Sequence, residues 1–87
     1  MKELPIPPEA TADPYARELV RVWAAEGCQH VSLAGGLWSD PAAWGLLLVD
    51  LARHVASHYE HKEGRNPSEV LNRIREAFDA EWESPTD

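Results

Sequence analysis

Three things are scarce in this sequence, and each scarcity removes a class of explanation. Cysteine occurs once, as Cys28, so no disulfide can form within the chain. Positive charge is short: 8 Lys and Arg face 15 Asp and Glu, a formal net charge of −7. That balance repels phosphate, and no local basic cluster offsets it, so neither nucleic acid nor an anionic membrane surface is expected as a partner. Long apolar runs are missing too. No window approaches the roughly 18 apolar residues of a membrane span, and the start Met-Lys-Glu-Leu-Pro lacks the apolar stretch of a signal peptide. With an unpaired cysteine that suits a reducing compartment, the sequence predicts a soluble, cytoplasmic protein.

What is present fits a folded chain. It is 44% hydrophobic and 26% charged, with 4 tryptophans in 87 residues, which argues against disorder. At this length one small domain is expected, with a thin stability margin. Small scaffolds commonly gain stability from disulfides, a metal or a second subunit. With the first ruled out, a partner or a metal gains weight.

The pattern divides the chain into an extended Pro-rich arm over 1–12, a compact helical domain over 13–84 and a tail over 85–87. Prolines 5, 7 and 8 remove backbone donors from the arm, with Leu4 and Ile6 as its anchors on the body. Three Asx-Pro pairs then mark helix starts. Asp and Asn accept bonds from unpaired first-turn amides, and proline suits the next position. Asp13-Pro14 predicts a first helix carrying Tyr15, Leu19, Val22 and Trp23 and ending at Gly27. Asp40-Pro41 predicts a second, running to Lys62 or Glu63 before Gly64. Its broad apolar face holds Trp44, Leu47, Leu48, Leu51, Ala52, Val55 and Tyr59, with Leu46 and Val49 on a spare side. Asn66-Pro67-Ser68-Glu69 predicts a third helix with a capping box. Cys28 to Ala34 alternates as one short strand, Gln29, Val31 and Leu33 facing one way. Residues 37–39 offer at most a stub of hairpin. The predicted class is α+β, mostly helical, in the order helix, strand, helix, helix.

Chemistry is harder to find. Asp50, His54, His58 and His61 share one narrow arc of helix two. An i, i+4 histidine pair can hold a metal, but one straight helix cannot surround an ion. The bland reading, a half-solvated polar border with Asp50 supporting His54, carries more weight. A pH-sensitive contact is the remaining alternative. Cys28 and His30 point to one side of the strand roughly 7 Å apart, too far for direct proton transfer. Gly35-Gly36 reads as a turn, since a phosphate loop needs more glycines and a lysine. No cofactor is expected, a divalent metal on the histidine stripe being the one alternative, and no catalytic residue stands out.

The stretch Gly27-Cys-Gln-His-Val-Ser-Leu33, the run Gly36-Leu-Trp-Ser-Asp-Pro-Ala-Ala-Trp-Gly45 continuing to Ala56, and the tail Phe78 to Asp87 resemble a family of short bacterial proteins classed as a domain of unknown function. The resemblance covers most of the chain and implies no activity or site residue.

A lone strand needs partners for its backbone groups. The sequence therefore predicts a homodimer, with the same strand of a second copy paired antiparallel about a two-fold axis. The candidate interaction surface is Trp38, Leu46, Val49, Val31 and Leu33. The expected function is a non-catalytic protein-interaction or regulatory module, with metal or small-ligand binding through Asp50, His54, His58 and His61 as the alternative.

Overall fold

The computed structural model describes residues 2–86. Residues 1 and 87, the ends of the expected arm and tail, lie outside the described residues. The class is α+β and mostly helical: α1 (Pro8–Ala12), β1 (Val20–Ala25), β2 (Cys28–Leu33), α2 (Ala42–Glu63) and α3 (Pro67–Glu83). The chain divides into two units, Met1–Ser39 and Asp40–Asp87.

The first unit departs from the sequence expectations in several places. The helix predicted from Asp13 to Gly27 is absent. Asp13 and Pro14 make a turn instead: the Asp13 carboxylate accepts from the Tyr15 amide at 2.9 Å, and its carbonyl accepts from the Ala16 amide at 3.1 Å. The residues beyond form β1, which pairs antiparallel with β2, from Val20 opposite Leu33 to Ala25 opposite Cys28. The lone strand thus has a partner in its own chain, and the argument for borrowing one from a second copy no longer applies. The physical reason lies in the connection. Glu26 (φ 55°) and Gly27 (φ 75°) both take left-handed conformations, as a two-residue type I′ hairpin turn requires. Gly27 does supply a positive φ, but to turn a hairpin rather than end a helix. β-Branched Val20 and Val22 suit the pleated strand and lose rotamer freedom in a helix.

The arm also differs from its extended expectation. Pro7 and Pro8 start a single helical turn, with the Ala10 and Thr11 amides on the Pro7 carbonyl at 3.0 and 3.1 Å. Proline at the first helical position and Glu9 in the first turn favour it. Leu4 and Ile6 anchor nothing: both are exposed. Arg21 ties this region to β1. Its guanidinium meets Glu18 at 2.7 Å and Glu3 at 2.9 Å. The hydrogen bond and charge of Glu18, followed by the charge of Glu3, raise the Arg21 pKa above its ordinary value. Residues 37–39 form no strand.

The second unit follows the sequence closely. The Asp40 carboxylate accepts from the Ala42 amide at 3.0 Å at the start of α2. Gly64 (φ 67°) stops that helix, its amide on the Glu60 carbonyl at 2.9 Å, because glycine adopts the left-handed conformation without steric cost. The Asn66 side chain accepts from the Ser68 and Glu69 amides at 2.9 and 3.2 Å, capping α3; the return bond from Glu69 that would complete a capping box is not formed among the described residues. The two helices pack on one another, and the core sits there: Ala56 is 1% exposed and Val70 5%. Among the described residues these are the buried apolar side chains, and no polar one is buried. No described helix is long and apolar enough to cross a membrane.

Candidate functional site

The histidine stripe forms on α2 but does not converge. His54 Nε2 lies 3.3 Å from the Asp50 carboxylate, one helical turn away, which is the supporting contact expected from the spacing. His61 turns back along its own helix, with Nδ1 2.8 Å from the Ser57 carbonyl oxygen. That bond needs Nδ1 to carry the proton, so this nitrogen is engaged as a donor rather than open to a metal. His58 is exposed. Among the described residues no group of three or more His, Cys, Asp or Glu side chains is arranged to hold a metal ion. Among the described residues the side chains of Asp50, His54, His58 and His61 are therefore not gathered round one point, since one straight helix spreads them along its length.

Cys28 is exposed at the hairpin turn. His30, two residues on, places Nε2 3.1 Å from the Ala25 carbonyl oxygen, so its ring is held by the hairpin backbone. The open depressions of the first unit are shallow. One of about 490 Å³ is lined by Glu3, Ile6, Glu18, Val20, Arg21 and Trp23 among others; a second lies around the hairpin turn. Neither encloses a space that would exclude water from a reaction.

Exposed apolar surface is what the chain has in quantity. Antiparallel pairing places Val20 and Val22 opposite Leu33 and Val31, and residues two apart share a face. Val22, Val31 and Leu33 are each more than half exposed on it. The sequence reading picked Val31 and Leu33 but missed Val20 and Val22, having assigned them to a helix. The signal was available in the alternation Val20-Arg21-Val22 before Glu26-Gly27. Trp38 follows the hairpin, at the edge of exposure.

On α2, Leu46 is 74% exposed and Val49 about half, as the spare side of that helix predicts. The surprise is on the main apolar face. Ala56 is buried where α2 meets α3, while Leu48, Leu51 and Val55, about 80–140° round the helix from it, stay partly exposed. α3 covers one flank of the broad face and leaves the other open. On α3 itself Phe78 and Trp82 stack with ring centroids 5.6 Å apart, and both remain exposed.

These features were compared with known proteins. The sequence model of a family described as a domain of unknown function, DUF5076, matches residues 3–86. No curated protein matches. A solved structure from the photosynthetic bacterium Rhodopseudomonas palustrus CGA009, described as that of a putative pyruvate dehydrogenase, is 38% identical to this chain. That match covers 100% of this chain and 89% of the solved one, with a TM-score of 0.77.

Proposed function

We propose that this chain, which belongs to the DUF5076 family, is a non-catalytic interaction module that completes its core by associating with a second copy of itself. The carrying observation is the imbalance between core and surface. Two apolar side chains, Ala56 and Val70, are buried, against fourteen large hydrophobic residues exposed among the described residues. Even two separate globules of about half this mass each would together expose only about 6,200 Å²; the chain exposes 8067 Å². The surplus is roughly 1,900 Å² per chain, and two copies pooling it reach about 3,800 Å², within the range of obligate homodimers.

A second copy is the economical partner because it is present wherever the chain is, in equal amount. The trigger for association differs from the one the sequence suggested: β2 already has its strand, and the unmet demand is for apolar burial. The candidate surface of Val31, Leu33, Trp38, Leu46 and Val49 consists of residues that are exposed in this structure.

Absence of catalysis is part of the proposal. No titratable group among the described residues is buried, and Arg21, whose pKa is raised, owes the shift to surface carboxylates. The environments that tune acids, bases and nucleophiles are enclosed ones. The activity named for the solved Rhodopseudomonas chain is a description of that chain, and nothing in the geometry here supports transferring it.

Light scattering at tens of micromolar tests the reading. The expected species has twice the 9.7 kDa of the chain; a species at the chain mass overturns it.

A further inference from the structure

Helix α2 carries a pattern that the packing against α3 does not use. Trp44, Leu48, Leu51, Val55 and His58 recur at spacings of four, three, four and three. That spacing keeps the five on one narrow stripe of the helix, from which apolar side chains can insert among the residues of a facing helix. α3 occupies the flank of Ala56, which is buried against it, whereas Leu48 and Leu51 are about half exposed and Val55 more than a third. Trp44 is half-buried at the seam's start, and His58 is exposed at its end. The seam positions from Trp44 to Val55 carry no charge, although Asp50 and Arg53 lie between them in sequence.

We infer that α2 is the dimer seam: the α2 helices of two copies pack along Leu48, Leu51 and Val55, joining two α2–α3 hairpins into a four-helix bundle. The inference rests on the homodimer reading above and adds the face. A second copy is the occupant favoured here because a seam of this spacing is filled best by another helix of matching spacing, and a two-fold axis supplies one automatically. The length is adequate. At 1.5 Å per residue the 22 residues of α2 span about 33 Å, enough for the two heptads of the seam and their flanks. The seam carries three of the fourteen exposed large hydrophobics, Leu48, Leu51 and Val55, Leu46 and Val49 lying on the opposite side of α2, and the surplus of surface per chain is of the size a stable homodimer covers.

Leu51 makes the test independent of helix direction. It sits near the midpoint of Ala42–Glu63, so the symmetry axis brings its two copies together whether the helices run parallel or antiparallel. In a Cys28→Ser background, the Leu51→Cys variant treated with a short bis-maleimide should cross-link to a dimer in most molecules. The Arg53→Cys variant, at almost the same height on the far side of the helix, should cross-link at least tenfold less. Leu51→Glu should raise the dimer dissociation constant tenfold or more by sedimentation equilibrium, while Arg17→Glu, exposed ahead of β1 and outside both apolar surfaces, leaves it unchanged. If Leu51→Glu fails to fold, the cross-linking pair decides. A dimeric wild type in which Arg53→Cys cross-links as well as Leu51→Cys overturns the seam while the homodimer stands. So does a dimer broken by Val22→Glu and indifferent to Leu51→Glu. A monomeric wild type overturns both.

Discussion

The two units of this chain hold themselves together by different means. In Asp40–Asp87, two long helices carry strong local signals and share a small buried contact at Ala56 and Val70. In Met1–Ser39 the described elements are a two-stranded hairpin and a single helical turn, with the Arg21 ion pairs on their surface and no buried side chain among the described residues. An isolated two-stranded hairpin is marginal in water, and exposed ion pairs such as those of Arg21 contribute little. Burial makes the helical unit the anchor. The hairpin depends on its turn geometry and on whatever covers Val22, Val31 and Leu33.

That contrast can be broken by substitution. The largest effect is expected at the helical core. Ala56→Asp puts a carboxylate into the α2–α3 contact with no partner, and should cost roughly 3 kcal/mol or more, read as loss of cooperative helix unfolding by circular dichroism. If hydrogen exchange shows the β1–β2 amides protected as before in this variant, the hairpin is independent of the helical core; if protection collapses with the helices, the chain folds as one cooperative system.

Next is the turn. Gly27→Ala forces a side chain into φ 75°, where nothing lies within 4 Å of the added carbon, so the cost is backbone strain alone, about 1–2 kcal/mol. A loss confined to β1–β2 protection supports separate units. Asn66→Ala removes two accepted bonds at the start of α3 and should cost about 1 kcal/mol, seen as a lower thermal midpoint. The smallest effect should be a gain. Glu26 holds φ 55°, a conformation that Asn tolerates better, so Glu26→Asn should stabilise the hairpin by about 0.5–1 kcal/mol. If it destabilises instead, the Glu26 side chain makes a contact that the turn argument omits.

The difference between the units also explains what could be read in advance. Asp40, Gly64 and Asn66 act within one or two turns of their own helix, so their roles were legible from neighbouring letters. Asp13-Pro14 presents the same letters and makes a turn, because capping permits a helix without compelling one: the segment beyond pairs with Cys28–Leu33, joined to it through Glu26-Gly27. Helical spacing of Tyr15, Leu19, Val22 and Trp23 competed with strand alternation at Val20 and Val22, and only the pairing resolved it. The candidate surface divides in the same way. Leu46 and Val49 were identifiable as apolar residues off the expected packing face of their helix, and Val31 and Leu33 as one apolar face of a strand. Which flank of the broad α2 face would stay open was not, since that depends on where α3 lands.

The sequence by itself determined the helices α2 and α3, their caps, the strand at Cys28–Leu33, the acidic charge and the surplus of apolar residues, because each of these is set by local stereochemistry or by composition. Only the tertiary structure decided that Val20–Ala25 is a strand, that the histidines of α2 radiate rather than converge, and that Leu48, Leu51 and Val55 lie open beside a buried Ala56. Those outcomes depend on pairing and packing between one segment and its neighbour, where burial and hydrogen bonding outweigh the preferences of either segment alone.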